Sequence, residues 1–436
     1  MERRNFLRAS VIASVASLAV DAVRVSEARA AVKPLTPPTL SEADVAARLH
    51  KLRTRNQRAC PPTKEVMTAL QRIPNSVLLY DLDQVEQNYL TFLEAEPGVE
   101  VFYAVKCAPN PRILQRLAAA GSGFDIASRA ELDLALATGV VPTKCIFSNT
   151  VKPVADIRYA FDHGVKSYVA DSRHEVEKLA KHAPGTNLYV RISVDSKFAS
   201  HPLGDKFGTT PEHAKELLLL GRKLGLKPYG THFHVGTQCL YPQAWETPTA
   251  QAASIFRDMK KHGIDLQFFD IGGGYPTAFA SSPNPPSVKQ ILDTVKTVLD
   301  RELPGQNVRL AVEPGRGIAG SSGTVSARVM LRADRASGEW LHLDAGIYQG
   351  LFDAVDHYVY EIATPGRSGA PVPFTLCGPT CDSFDTISKN QKLPGDLQEG
   401  DLLIFENAAA YSESCNTTFN GMPSPAVHYL DELLPI

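Results

Sequence analysis

No stretch of this 436-residue chain is apolar for the roughly 20 consecutive residues that a helical membrane span requires. The formal charge of −2 gives nucleic acid or an anionic membrane surface little to hold. Seven cysteines (Cys60, Cys107, Cys145, Cys239, Cys377, Cys381 and Cys415) include no C-x-x-C pair and no Cys/His ligand cluster. Their odd number, in a chain this long, fits neither a disulfide scaffold nor a spaced metal site, so no metal is expected. Internal repeats beyond a strand–helix unit are missing, and so are long low-complexity tracts. What remains is 44% hydrophobic and 21% charged residues, an ordinary globular composition. The length fits one large α/β barrel with a smaller module attached.

The first thirty residues differ in kind. Arg3 and Arg4 precede Asn5-Phe6-Leu7-Arg8, an apolar stretch from Val11 to Val20 and an Ala28-Arg29-Ala30 cleavage pattern. This is the layout of a bacterial twin-arginine export signal, so residues 1–30 are set aside from the fold and a periplasmic or exported location is expected. The segment holds five basic and three acidic residues, so its removal leaves a charge of −4. Such export carries folded proteins, which suits a chain loaded with a cofactor beforehand. Residues 31–81 are expected to be a leader, with PLTPP at 34–38, followed by a strand at Ser76–Asp81.

From about residue 100, strand-like runs alternate with helical patterns. The runs are 101–105, 123–127, 144–148, 165–169, 188–194, 228–234, 266–271 and 308–313. Helix ends are readable between them. Asn110 with Pro111 opens one helix and Gly121 closes it, Thr210 with Pro211 opens another, and Ser128/Glu131 and Ser172/Glu175 have capping-box spacing. Eight strands separated by helices predict a (β/α)8 TIM-like barrel over 82–322, with a doubly wound open sheet as the competing arrangement. Lys106, Asp125, Asn149, His234, Gly272–Gly274 and Glu313 all fall near carboxyl ends of predicted strands. A barrel gathers those ends at one mouth; an open sheet spreads them along an edge. Beyond residue 322 the segments TVSARVML, EWLHLDAG, PVPFTLCG and DLLIFENA are short, β-rich and punctuated by Gly and Pro. They predict an all-β domain over 323–436, which the Ser76–Asp81 strand can join.

Three loops carry chemistry. Lys106 ends an apolar strand, where desolvation is expected to lower its pKa and favour an imine-forming amine, although a lysine there can also reach solvent. Asp270-Ile-Gly-Gly-Gly-Tyr-Pro276 can turn backbone N–H groups toward one anion, or be a tight turn; it has neither a P-loop lysine nor dinucleotide spacing. Glu313-Pro-Gly-Arg316 follows the eighth strand, where barrels often bind phosphate, or it can be an internal Glu–Arg ion pair. Taken together they offer an amine, a phosphate site and an acid able to protonate a pyridine ring. Pyridoxal phosphate needs that combination.

The motifs FYAVKCAPNP, GFDIASRAEL, FHVGTQC, DIGGGYP, EPGR, GPTCDSFD and AYSESCNTTFNG, in this order, resemble those of the barrel-type (fold type III) decarboxylases of ornithine, lysine, arginine and diaminopimelate. The resemblance runs from about residue 76 to 425. It implies that Lys106 carries pyridoxal 5′-phosphate and that His234 stacks on its ring. Gly272, Gly273, Gly274, Arg316, Tyr411 and Thr237 (serine in many relatives) would bind the phosphate. Glu313 would take the pyridine nitrogen, with Asp125 and Arg191 beside the lysine. Cys381 would return a proton to the substrate carbon, Asp382 and Asp356 would bind the distal amine, and the Cys381 loop would cross to the partner in a homodimer with shared sites.

Cys381-Asp382-Ser383 and Thr418-Phe419-Asn420-Gly421 follow the ornithine/lysine pattern rather than the diaminopimelate one. The implied activity is decarboxylation of L-ornithine or L-lysine, with the arginine and diaminopimelate enzymes as alternatives. A racemase on the same barrel needs a second base opposite the lysine, and its loop does not read Gly-Pro-Thr-Cys-Asp. A non-catalytic, partner-binding relative would be expected to have lost the cofactor contacts.

Overall fold

The computed structural model describes residue 35 and residues 39–195, 197–201 and 206–434. The expected export signal at 1–30 and all of the PLTPP leader except Leu35 lie outside these residues. The strands of the first part are β1 (Val77–Tyr80), β2 (Glu100–Ala104), β3 (Gly123–Ile126), β4 (Cys145–Phe147), β5 (Ser167–Ala170), β6 (Asn187–Arg191), β7 (Ala199–His201), β8 (Lys227–His232), β9 (Thr237–Cys239), β10 (Phe268–Asp270) and β11 (Arg309–Val312). Eight of them, β2 to β6 with β8, β10 and β11, are parallel and close into a barrel as β11 pairs with β2. These eight overlap the eight expected runs. β7 and β9 form a separate antiparallel pair.

Strand alternation sorts the side chains of the barrel. Phe102, Ile146, Val169, Tyr189, Phe268 and Ala311 form their own buried cluster, with Tyr229 packed against it. Each comes from a different barrel strand and fills the interior. The intervening Val101, Tyr103, Phe124, Phe147, Tyr168, Leu188, Val190 and Phe269 belong to the larger core shared with the helices. Two residues beyond the interior layer, the same inward period brings up Ser148, Asp171, Arg191, Asp270 and Glu313, with Asp125 and His232 two beyond Gly123 and Gly230. An apolar plug under a polar ring is what places chemistry at the carboxyl-end mouth.

Helix ends explain part of this order. The Asn110 side chain accepts from the Arg112 N–H, Pro111 is the first helical residue and Gly121 closes the helix with a positive φ of 106°. Thr210 accepts from His213 N–H ahead of the helix Pro211–Lys223. The two expected capping boxes do not form. Ser128 accepts from Glu131 N–H, but the Glu131 carboxylate turns to Ala127 N–H at 2.7 Å. Ser172 makes no side-chain cap, and the Glu175 carboxylate that would complete the box is instead ion-paired with Lys152 and Lys178.

The region expected to be leader holds two helices, Glu42–Arg53 and Lys64–Gln71. Val45, Leu49 and Leu52 of the first are buried in the main core. Val66 and Leu70 of the second pack with Val77 and Leu79 of β1. Short polar segments between these apolar positions hid the pattern.

The second sheet contains β12 (Gly323–Arg335), β13 (Gly338–Leu343), β14 (Ile362–Ala363), β15 (Pro371–Cys377), β16 (Thr386–Pro394), β17 (Leu402–Phe405) and β18 (Ala426–Tyr429). Their order is β14-β17-β12-β13-β15-β16, and β1 joins between β12, antiparallel, and β18, parallel. β1 therefore ties the start of the barrel to the far domain. Among the described residues no helix is long and apolar enough to cross a membrane.

Candidate active site

Lys106 sits in a tight turn, Val105–Cys107, directly after β2. Its Nζ donates to Asp125 Oδ2 at 2.6 Å, and Asp125 on β3 lies in register beside Ala104. The lysine side chain is 46% exposed while Asp125 is buried. Burial acts to lower the Lys106 pKa, but the Asp125 and Glu313 carboxylates outweigh it and the net direction is upward. This corrects the expectation of a depressed lysine: paired carboxylates, not desolvation, decide its charge.

The cleft into which Lys106 opens is also lined by His234, Thr237, Gly273, Gly274, Glu313, Arg316 and Tyr411. The glycine turn is shaped by close approach. Gly272 (φ 66°) would place a Cβ 2.1 Å from the Phe233 carbonyl oxygen, and a Cβ on Gly273 would stand 2.8 Å from His234 Nε2. Only a bare backbone fits between the turn and the histidine ring. Gly272 spends its N–H on Asp270 Oδ1 at 2.9 Å, so its place in the turn is structural. His234 Nδ1 accepts from Gly236 N–H at 3.0 Å. Burial, with Arg191 and Lys106 nearby, pushes His234 well below its usual pKa, so the ring is neutral.

Glu313 and Arg316 do not pair with each other. Glu313 Oε2 accepts from His232 Nε2 at 2.9 Å, and Glu313 Oε1 has no partner despite its burial. Arg316 is buried and forms a two-pronged ion pair with Asp353, one prong at 2.8 Å from Nη2 to Oδ1. Tyr358 and Tyr411 rings each lie 5.2 Å from its guanidinium. Tyr411 has a positive φ of 60°, and its N–H donates to the Cys107 carbonyl at 2.8 Å. That bond ties the β-domain residue to the turn carrying Lys106. Arg191, at the end of β6, lies beside His232 in register; burial pulls its pKa down against the pull of Glu313, Asp171 and Asp125.

The remaining expected residues, Cys381, Asp382 and Asp356, do not line this cleft. Cys381 is exposed, with its N–H on Asn420 Oδ1 at 3.0 Å. Asp382 accepts from the Tyr348 hydroxyl at 2.6 Å and from Phe384 N–H at 3.0 Å. The Tyr348 bond is the main reason its pKa is held below the usual value. Asp356 ends the turn Phe352–Asp356 that also carries Asp353.

His232 and Asp353 add to the residues expected from the sequence, and Asp270, expected only as the first residue of the glycine turn, takes a place in the site. His232 and Asp270 are inward residues of barrel strands, legible from alternation once the register is known. Asp353 gave no local signal, since its partner lies 37 residues away. The ligand atoms of His232, Asp270 and Glu313 lie within 4.8 Å of one another, close enough to hold a metal ion, a grouping invisible to spacing rules.

Comparison with known proteins follows this geometry. The model of the pyridoxal-dependent decarboxylase family, pyridoxal binding domain, matches residues 82–320. The chain is 34% identical over 372 residues to a lysine/ornithine decarboxylase of Selenomonas ruminantium, covering 85% of this chain and 93% of that protein. It is 33% identical over 372 residues to ornithine decarboxylase 2 of Drosophila melanogaster, covering 83% and 93%. A crystal structure of a Vibrio vulnificus lysine/ornithine decarboxylase, complexed with cadaverine, superposes with a TM-score of 0.78 at 30% identity, covering 85% of this chain and 99% of that one. With a closed parallel barrel, a lysine at its mouth and a family match across more than half its length, this chain belongs to the pyridoxal-phosphate-dependent decarboxylases of fold type III.

Proposed function

We propose that this protein decarboxylates L-ornithine or L-lysine, releasing carbon dioxide and putrescine or cadaverine. The observation that carries the reading is the Lys106–Asp125 pair, 2.6 Å apart, opening into a cleft shared with Glu313, whose Oε1 is buried without a partner. These residues fit pyridoxal phosphate. Gly273, Gly274, Thr237, Arg316 and Tyr411 would hold its phosphate, beside the turn set by Gly272. Glu313 would accept from its ring N–H, and neutral His234 would offer a face to the ring. When bound, the group supplies the electron sink for the pair left as carbon dioxide departs.

The chain's own residues do the rest. Lys106 must give up a proton to act as a nucleophile, and Asp125 is placed to receive it. Arg191 adds a positive charge at the same rim. Asp382 and Asp356 would oppose the distal ammonium, and Cys381 Sγ would give a proton to the substrate carbon. Ornithine and lysine differ by one methylene, about 1–3 kcal/mol of discrimination at most.

Cys381 and Asp382 would be delivered by a second copy, making a homodimer with shared sites. The exposure of Cys381, next to Phe384 at 54% and Phe419 at 43% exposed, supports this. The Arg3-Arg4 segment supports export of the folded protein to the periplasm.

The test is carbon dioxide trapping from purified protein supplied with pyridoxal phosphate and L-ornithine or L-lysine separately, with optical rotation followed in parallel. Gas release with either substrate is the expected result. Loss of rotation without gas would mean a racemase.

A further inference from the structure

Beneath the cleft lies a buried group that the reading above leaves unused. His232 is the last residue of β8, 1% exposed, and in register with Asp270 on β10 and Arg191 on β6. Its Nε2 donates to Glu313 Oε2 at 2.9 Å. Asp270 accepts from Gly272 N–H through Oδ1, while its Oδ2 has no partner other than the neighbouring carboxylate. Two carboxylates within a few ångströms in a dry site cannot both stay ionised. Burial and the adjacent Glu313 push Asp270 well above its usual pKa, whereas His232 and Lys106 overcome burial to hold Glu313 below its own. The proton therefore rests on Asp270 and the charge on Glu313. Ser148 and the protonated Asp270 also donate toward the Glu313 carboxylate, but the His232 bond is the well-formed one: it engages Oε2 and turns Oε1 toward the cleft, where it has no close hydrogen-bond partner.

We propose that His232 is a positioning residue for Glu313, fixing both the orientation and the charge of the carboxylate that accepts the N–H of the cofactor's pyridine ring. The inference rests on the assignment of Glu313 to that nitrogen. It differs from a packing role for His232, which the same burial would otherwise suggest.

The test compares binding of pyridoxal phosphate and of its 1-deaza analogue, which has CH in place of the ring nitrogen, to the apo-protein by fluorescence titration. Wild type is expected to prefer pyridoxal phosphate, and Glu313→Gln to lose about tenfold of that preference, the scale of one charge-assisted hydrogen bond. His232→Asn, a polar side chain too short to reach Glu313, is expected to lose a similar factor, with affinity for the deaza analogue unchanged within about twofold. His232→Gln, whose amide nitrogen can stand near the position of Nε2, is expected to restore most of the preference. If Glu313→Gln changes nothing, the assignment of Glu313 falls and this proposal with it. If Glu313→Gln acts but His232→Asn weakens both ligands equally, or neither, only the role of His232 is overturned.

Discussion

The two ends of the active site are built in opposite ways. At the cofactor end three charges are answered inside the chain: Lys106 by Asp125, Glu313 by His232, Arg316 by Asp353. At the proposed substrate end Cys381 is exposed, and Asp382 is held by the Tyr348 hydroxyl, away from the cleft. Buried charges must be paired before the fold can close over them, because an unpaired one costs several kcal/mol. Charges that meet a substrate can wait on the surface for it. The difference teaches which half of the site is a folding problem and which half is an assembly problem.

The largest effect should come from the cofactor end. Lys106→Ala is expected to lower carbon dioxide release by about 10³-fold or more, since the covalent nucleophile is gone. The yellow colour of the bound cofactor should be lost in the same variant. Retention of either the colour or the activity would place the covalent attachment elsewhere.

The contrast becomes sharper with a mixing experiment. Asp382→Ala should leave folding and cofactor binding unchanged, because the half-buried side chain lies outside the cofactor cleft, yet slow turnover about 100-fold. Lys106→Ala and Asp382→Ala chains, each inactive alone, should recover about a quarter of wild-type activity when mixed and re-equilibrated. Half of the resulting dimers are then mixed, each with one intact site of two. No recovery would mean that each chain builds its site alone.

How much of this was legible in the sequence follows the same division. The barrel strands were legible because short apolar runs alternate with capped helices, a local pattern. Lys106, Glu313 and the glycine turn stood out because each follows such a run directly. The helices at Glu42–Arg53 and Lys64–Gln71 lie where a leader was expected, because their buried faces are narrow: Val45, Leu49 and Leu52 in the first, Val66 and Leu70 in the second. His232 was overshadowed by His234, two residues on and so on the same face by alternation, and the pattern alone does not say that the strand ends at His232. Asp353 was invisible: its role depends on a buried arginine brought to it by the docking of two domains. The pKa of Lys106 was misjudged for the same reason, as desolvation is read from a strand but a neighbouring carboxylate is not.

That domain-bridging pair offers a stability test. Asp353→Ala leaves the Arg316 guanidinium buried beside aromatic rings without a counter-charge, and is expected to cost about 3–5 kcal/mol. Thermal melting of the apo-protein should fall accordingly. Inorganic phosphate or pyridoxal phosphate should then raise the melting temperature more in this variant than in wild type, because the anion replaces the missing carboxylate. An equal rise in both would mean that Arg316 does not meet the phosphate.

The smallest predicted effect lies at the exposed end. Tyr348 donates to Asp382 Oδ2 and is the leading cause of that carboxylate's lowered pKa. In Tyr348→Phe the pKa should move back up, so the charge that meets the distal ammonium disappears at a higher pH as the solution is acidified. At neutral pH Asp382 stays ionised in either protein, and KM should rise only a few-fold through looser orientation, with kcat nearly unchanged. As the pH falls, KM of the variant should begin to climb before that of wild type. A cofactor-end contact would behave otherwise, changing the spectrum and kcat. A parallel rise of KM in both proteins would mean that Tyr348 positions nothing the substrate feels.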